Sequence, residues 1–357
     1  MRLLGDLSVA AAATASCVWF ATCATARDAV GSTLLQRPDV DVTRSGDWGA
    51  RGNAESPLPE VPLPADSPCG PSVLYNRTIN PSRYKFGCPE IKVMLAGSKE
   101  YIAGGNSRDV FLIDYEGEQL VLKVAKIHSK RTSTRHLMEA IALDVVLGEP
   151  YIAPTLGFCG TSSVQPFFAG GTVEERIFSG AWTGEPIGLP TVLQMSLDAM
   201  RGLQALHEAH GGPIIHNAMR PEQLLVYGNG TVVVSDLNSC SFMGVDGSGE
   251  SCPTRSATTH NARWNAPELY GDQGYTEKVD IFSMGIVFWQ LLALRSIPFE
   301  GRHHHEIPSL VADNQRPFVD RSWDPSYAQL LQDMWQTAPE ARPSSRQVVA
   351  RLEEMLQ

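Results

Sequence analysis

Apolar residues recur along the chain with two different periods. Over residues 135–147 they fall at Leu137, Ile141 and Val145, which line one face of a helix. Residues 190–209 repeat the pattern at Val192, Leu193, Met195, Met200, Leu203 and Leu206, predicting a longer amphipathic helix. Elsewhere the runs are short and rich in β-branched residues. Residues 101–113 and 119–125 read as strands, broken by Gly104-Gly105 and Glu116-Gly117 turns. Residues 152–159 read as a strand entry, and residues 165–171 as an apolar strand ending in glycines. Leu224-Leu225-Val226 and the β-branched residues 231–234 flank Asn229-Gly230, which predicts a hairpin with a two-residue turn. From Asp280 an almost wholly apolar stretch, IFSMGIVFWQLL, predicts a buried helix, and residues 344–356 predict a last one.

Composition narrows the class. The 357 residues are enough for one large or two ordinary domains, and 43% hydrophobic with 19% charged residues suits a globular core. A net charge of −10 argues against general nucleic-acid binding, which needs a basic surface.

The first residues change the picture most. Residues 7–26 carry no charge and end on Ala24-Thr25-Ala26, a pattern suited to signal cleavage. Their length also suits a single membrane anchor, so residues 1–26 are expected to be a signal peptide or a signal anchor. Residues 27–68 are rich in Pro, Asp, Ser, Gly and Arg and read as a disordered stem. The expected location is the secretory-pathway lumen, membrane-anchored in the ER or Golgi, or the exterior. Of seven cysteines, Cys17 and Cys23 fall in the leader. Cys69 with Cys88, and Cys240 with Cys252, bracket short Gly-containing segments, which predicts two local disulfides and leaves Cys159 free. Asn76 and Asn229 head glycosylation sequons. His303-His304-His305 reads as an exposed loop, since adjacent side chains diverge.

The most informative stretch is residues 214–236, IIHNAMRPEQLLVYGNGTVVVSD. A polar loop, a hairpin and a carboxylate at the strand exit suit the holding of a metal-phosphate. The loop HNAMRPEQ resembles the catalytic loop H-R-D-L-x-x-x-N of the protein kinases, and Asp236-Leu237-Asn238 resembles their D-F-G. The resemblance implies an α+β, bilobal protein-kinase-like fold for residues 69–357. Its β-rich small lobe would span about 92–165 and its helical large lobe about 175–357. It also implies ATP with Mg or Mn as cofactor. Ala103, Gly105 and Arg108 take the three positions of the phosphate-covering glycine loop. Lys123, rather than Lys126, matches the strand lysine, and Glu139 would aim it at the phosphates. Gly105, Lys123 and Glu139 are thus the implied nucleotide-binding residues, and Asp236 with Gln223 the implied metal ligands. His216, Glu268 of the A-P-E signature, Asp280 and Arg342 take structural positions, with Arg342 paired to Glu268 and Asp280 holding the loop backbone. Residues 236–268 take the place of the activation segment, with Thr254, Ser256, Thr258 and Thr259 as candidate phosphosites.

One departure dominates. Ala218 stands at the position of the catalytic aspartate, and a methyl group accepts no proton, so no catalytic residue is intact. A narrower set of features resembles protein O-mannose kinase: a luminal stem, a cysteine before the small lobe, Arg108 in the glycine loop, and D-L-x for D-F-G. Three readings follow: a pseudokinase that keeps nucleotide and acts as scaffold or regulator, an active transferase to a protein or glycan hydroxyl, and a luminal binding module without nucleotide. The first two take ATP, and each implies an unidentified protein or glycan partner.

Overall fold

The computed structural model describes residues 72–357, apart from 106–107, 127–129, 179–186, 249–250, 255–261, 273 and 295. The expected leader, the stem and Cys69 lie outside the described residues, as do Ser256, Thr258 and Thr259. No helix among the described residues is long and apolar enough to cross a membrane.

The small lobe is a five-stranded sheet of order β1-β2-β3-β5-β4. Its strands are β1 (Glu100–Gly104), β2 (Arg108–Tyr115), β3 (Glu118–Ala125), β4 (Gly157–Cys159) and β5 (Ser162–Pro166). All its pairings are antiparallel; short turns join β2 to β3 and β4 to β5, whereas a helix and β4 intervene between the paired β3 and β5. Glu116 at φ 56° and Gly117 at φ 82° are the two left-handed residues of the β2–β3 turn, the pattern of a tight two-residue hairpin. One face of the sheet buries Ile113, Leu120, Leu122, Val124 and Val164 against α1 (Cys88–Ala96), which contributes Ile91, Met94 and Leu95. Helix α1 thus caps the small-lobe core. Helix α2 (Lys130–Val145) follows β3 and starts earlier than its apolar spacing indicated.

The large lobe is helical. It holds α3 (Val173–Phe178), α4 (Leu189–His207), α5 (Lys278–Ala293), α6 (Ile307–Ala312), α7 (Pro325–Met334) and α8 (Ser345–Met355). Every residue of α5 from Val279 to Leu291 is buried, the burial that an all-apolar helix requires. Helix α3 follows the stretch 165–171 expected to be a strand, and no element was expected at its place; its six residues are too few for a periodic signal.

Between the lobes lie β6 (Ile214–Ile215), β7 (Leu224–Val226), β8 (Val232–Val234) and β9 (Ser241–Phe242). Strands β7 and β8 form the expected hairpin, but its loop is longer. Tyr227 N–H donates to Thr231 O, Gly230 N–H donates to Tyr227 O, and Gly230 takes φ 92°. This is a three-residue loop with a glycine bulge, so Asn229-Gly230 marks the turn but not its length. The α+β, two-lobed architecture is the one expected.

Two expectations about cysteines fail. Cys88 is bonded to Cys159, 71 residues away, with Cα atoms 4.8 Å apart. Bracketing a short segment was a poor guide, because the chain before β1 crosses the sheet and lays Cys88 beside β4. Cys240 is a buried free thiol, and Cys252 belongs to a disulfide that does not include it.

Candidate nucleotide cleft

The loop at residues 216–223 is held from below by one carboxylate. Asp280, 1% exposed in the first turn of α5, accepts from His216 N–H at 2.7 Å, Asn217 N–H at 2.9 Å and His207 Nε2 at 3.2 Å. A carboxylate at a helix N-terminus is also favoured by the helix dipole. The His216 ring closes the loop from above: its Nδ1 accepts from Ala218 N–H at 3.3 Å. Its Nε2 therefore carries the proton and donates to Ser235 O at 2.9 Å, tying the loop to the residue before Asp236. Two non-glycine residues here sit in the left-handed region, Asn217 at φ 65° and Asp236 at φ 60°. Such backbone costs about 1–2 kcal/mol per residue, offset by the bonds that fix it.

Asn217 turns inward. Its Nδ2 donates to Ser239 O at 3.0 Å and Ser241 Oγ at 2.8 Å, so the start of the activation segment is pinned by a neutral amide. Nothing in the sequence reading assigned it this role. Thr254 is buried and exchanges backbone hydrogen bonds with Tyr275, so its hydroxyl is no accessible phosphosite.

Gln223 and Asp236 face each other. The donor and acceptor pattern orients the Gln223 amide with its NH2 donating to Asp236 Oδ2 at 3.1 Å and its oxygen accepting from an Arg220 amino group at 2.9 Å. Turned over, the same amide places an oxygen beside the carboxylate. The pair then fits a single hard divalent cation, which takes oxygen ligands and needs only one or two carboxylates besides phosphate. Ala218 adds no ligand to the set.

The roof of the cleft differs from expectation. Glu139, 2% exposed on α2, pairs with Arg108 and not with Lys123. Arg108 Nη1 donates to Glu139 Oε1 at 3.1 Å and Nη2 meets Oε2, a bidentate fork. Its Nε donates to Nδ1 of His136, one turn earlier on the same helix face. Lys123, opposite Val110 and Ser163 in the sheet, is half-buried and forms no ion pair among the described residues. The physical reason is reach and shape: a planar guanidinium offers two parallel donors where an ammonium offers a point charge. Lys126 pairs with Asp109 at 3.2 Å. Gly104 packs closely here, for a side-chain Cβ would lie 2.5 Å from the Tyr101 hydroxyl. A Cβ at Gly105 would meet nothing; the residue is exposed and its N–H donates to Arg108 O at 3.0 Å.

Far from the cleft, Arg342 forms a bidentate pair with Glu268 at 2.6 and 2.8 Å, as expected. Its other donors reach the carbonyls of Gln336, Thr337 and Lys278. The histidine loop is exposed, and no cluster of three metal-binding side chains occurs among the described residues.

Glu174 on α3 faces Glu222 of the loop. Its carboxyl is pushed up to about 7, chiefly by burial, then by the Glu222 charge, with Arg220 pulling the other way. A carboxyl raised in the folded state stabilises fully below its unfolded value, here 4.5, and loses that stability as pH rises through about 7. Glu174→Gln is therefore expected to remove part of the decline in unfolding midpoint between pH 5 and 8. An unchanged decline in urea titrations would show that Glu174 is ordinary.

The family described as protein tyrosine and serine/threonine kinase matches residues 99–352. Serine/threonine/tyrosine-protein kinase HT1 of Arabidopsis thaliana is 27% identical over 274 residues, 74% of this chain and 67% of that protein. Serine/threonine-protein kinase STY46 of the same plant is 25% identical over 260 residues, 71% of this chain and 43% of that protein. A probable serine/threonine-protein kinase of Dictyostelium discoideum, drkD, is 31% identical over 164 residues, 46% of this chain but 12% of its own length. The chain thus spans two thirds of the first of these relatives and less than half of the others.

Proposed function

The chain belongs to the protein tyrosine and serine/threonine kinase family, and on that premise we propose that it binds ATP between its lobes with impaired transfer chemistry and acts as a scaffold or regulator. One observation carries the reading: the loop keeps its anchors to Asp280 and Ser235 while Ala218 occupies the proton acceptor's place. Lys123, free of Glu139, is left to meet the phosphates, with the turn at Gly105 over them. Asp236 and Gln223 would hold Mg or Mn. When bound, the ion supplies charge neutralisation at the phosphate oxygens. The Cys88–Cys159 disulfide supports an oxidising compartment, hence the secretory-pathway lumen or the exterior. Asn76 and Asn229, both exposed, suit glycosylation there. The partner would be a protein or glycan.

A second reading is slow transfer to a protein Ser/Thr or glycan hydroxyl. The retained Asp236 favours it, because phosphoryl transfer rests mainly on positioning and charge stabilisation. Thermal shift with ATP, with and without Mg or Mn, tests the first reading. Wild type is expected to be stabilised by about 2.7 kcal/mol at a hundredfold excess over Kd, and Lys123→Ala to lose most of that gain. No shift under any condition would sink nucleotide binding and leave a binding module without nucleotide. Transfer of labelled phosphate that Asp236→Asn abolishes would establish the second reading.

A further inference from the structure

Residues 72–98 precede the stretch that matches the kinase family, which begins at residue 99. They nonetheless bridge both lobes. At one end Leu74, 2% exposed, belongs to the large-lobe core, and Tyr75 packs edge-on against Phe242 of β9 at 5.3 Å. Gly211 admits that contact, since a Cβ there would lie 2.8 Å from Leu74. At the other end Phe86 N–H donates to Leu156 O, α1 covers the sheet, and Cys88 is bonded to Cys159. Gly157 admits this approach, for a Cβ there would lie 2.2 Å from Phe86 O.

Between these ends the segment meets α2. Asp144, 2% exposed in the last turn of α2, collects Arg77 at 3.2 Å, Arg83 at 3.1 Å and the Tyr84 hydroxyl at 3.0 Å. Arg83 also donates to Asp144 O, a terminal helix carbonyl. An acid at a helix C-terminus opposes the dipole, and a buried carboxylate is costly without partners. No basic residue in that last turn of α2 offsets it. The placement of Asp144 is thus tolerable because the segment supplies two guanidiniums and a hydroxyl.

We infer that residues 72–98 are a built-in strap that fixes α2, and with it Glu139 and the Arg108 fork, in place. The position of α2 is set from within the chain and sealed by the Cys88–Cys159 bond. The same strap touches β9, whose Ser241 holds Asn217, so α2 and the catalytic loop are held by one element. Reduction of the disulfide would free the small-lobe end and loosen α2.

The test is hydrogen exchange on the full chain, comparing wild type, Arg77→Ala/Arg83→Ala, and Cys88→Ser/Cys159→Ser. Both double variants are expected to raise exchange in residues 133–145 and 241–243 while leaving α7 and α8 unchanged. If wild type binds ATP, affinity should also fall, by about five- to tenfold or more. Unchanged exchange in α2 would overturn the strap, and so would a uniform rise throughout the chain, which would mean lost stability alone. The exchange readout needs no nucleotide, so failure of ATP binding would count against the proposed function and not against the strap.

Discussion

Arg108→Ala is expected to lower stability by about 3–5 kcal/mol, the cost of leaving one member of a buried ion pair uncompensated. Glu139 is 2% exposed and its carboxylate is met by both arms of the Arg108 fork. Removing the guanidinium strands that charge and leaves His136 Nδ1 without the donor it has from Arg108. At roughly 2 °C per kcal/mol for a domain of this size, the melting temperature should drop by about 6–10 °C. Arg108→Met/Glu139→Met is expected to recover most of the loss, because a buried pair replaced by apolar groups of similar volume is often neutral. The double-mutant cycle, closed with Arg108→Met and Glu139→Met alone and read from denaturant midpoints, isolates the pairing. A single-variant loss within about 0.5 kcal/mol, the usual range for unimportant positions, would mean that Lys123 takes over Glu139.

That pair also marks where sequence reading reached its limit. The fold was legible because its signals are local and repeated: apolar periods for α4 and α5, β-branched runs for β3 and β8, and motif order for Asp236, Glu268, Asp280 and Arg342. Asp280 as the anchor of the loop and Arg342 as the partner of Glu268 were legible too, since both serve the scaffold whatever the chemistry. Who pairs with Glu139 was not. Arg108 and Lys123 lie on adjacent strands, both basic, and choosing between them depends on guanidinium shape and on the closeness of β2 to α2. Arg108 stood out only as an odd residue in the glycine turn. Cys88 and Cys159 failed for the opposite reason. Sequence proximity favours short loops, whereas the strap brings residues 71 positions apart together. Asp144 carried no signal at all, because an acid in a helix looks like any solvated one until Arg77 and Arg83 arrive. These three misses involve contacts made by the segment before β1 or by the glycine turn, places where tertiary packing decides.

The largest expected effect on rate comes from the smallest side chain in the loop. Ala218→Asp should raise phosphoryl transfer by about 10²–10⁴ over wild type, the contribution of a positioned general base. The geometry that would orient such a carboxylate is already built. Ala218 N–H is bonded to His216 Nδ1, the two residues before it are bonded to Asp280, and Asn217 is held by Ser239 and Ser241. Ala218 is half-exposed, so a carboxylate added there is expected to enter without displacing core atoms. The measurement is single-turnover transfer from labelled ATP to a generic acceptor or to water, with Asp236→Asn in the Ala218→Asp background as control. Transfer that rises and then vanishes in the control assigns the deficit to the missing base. Transfer that stays flat while ATP still binds would place the deficit at the roof, where Arg108 has taken Glu139 and no carboxylate aims Lys123 at the phosphates.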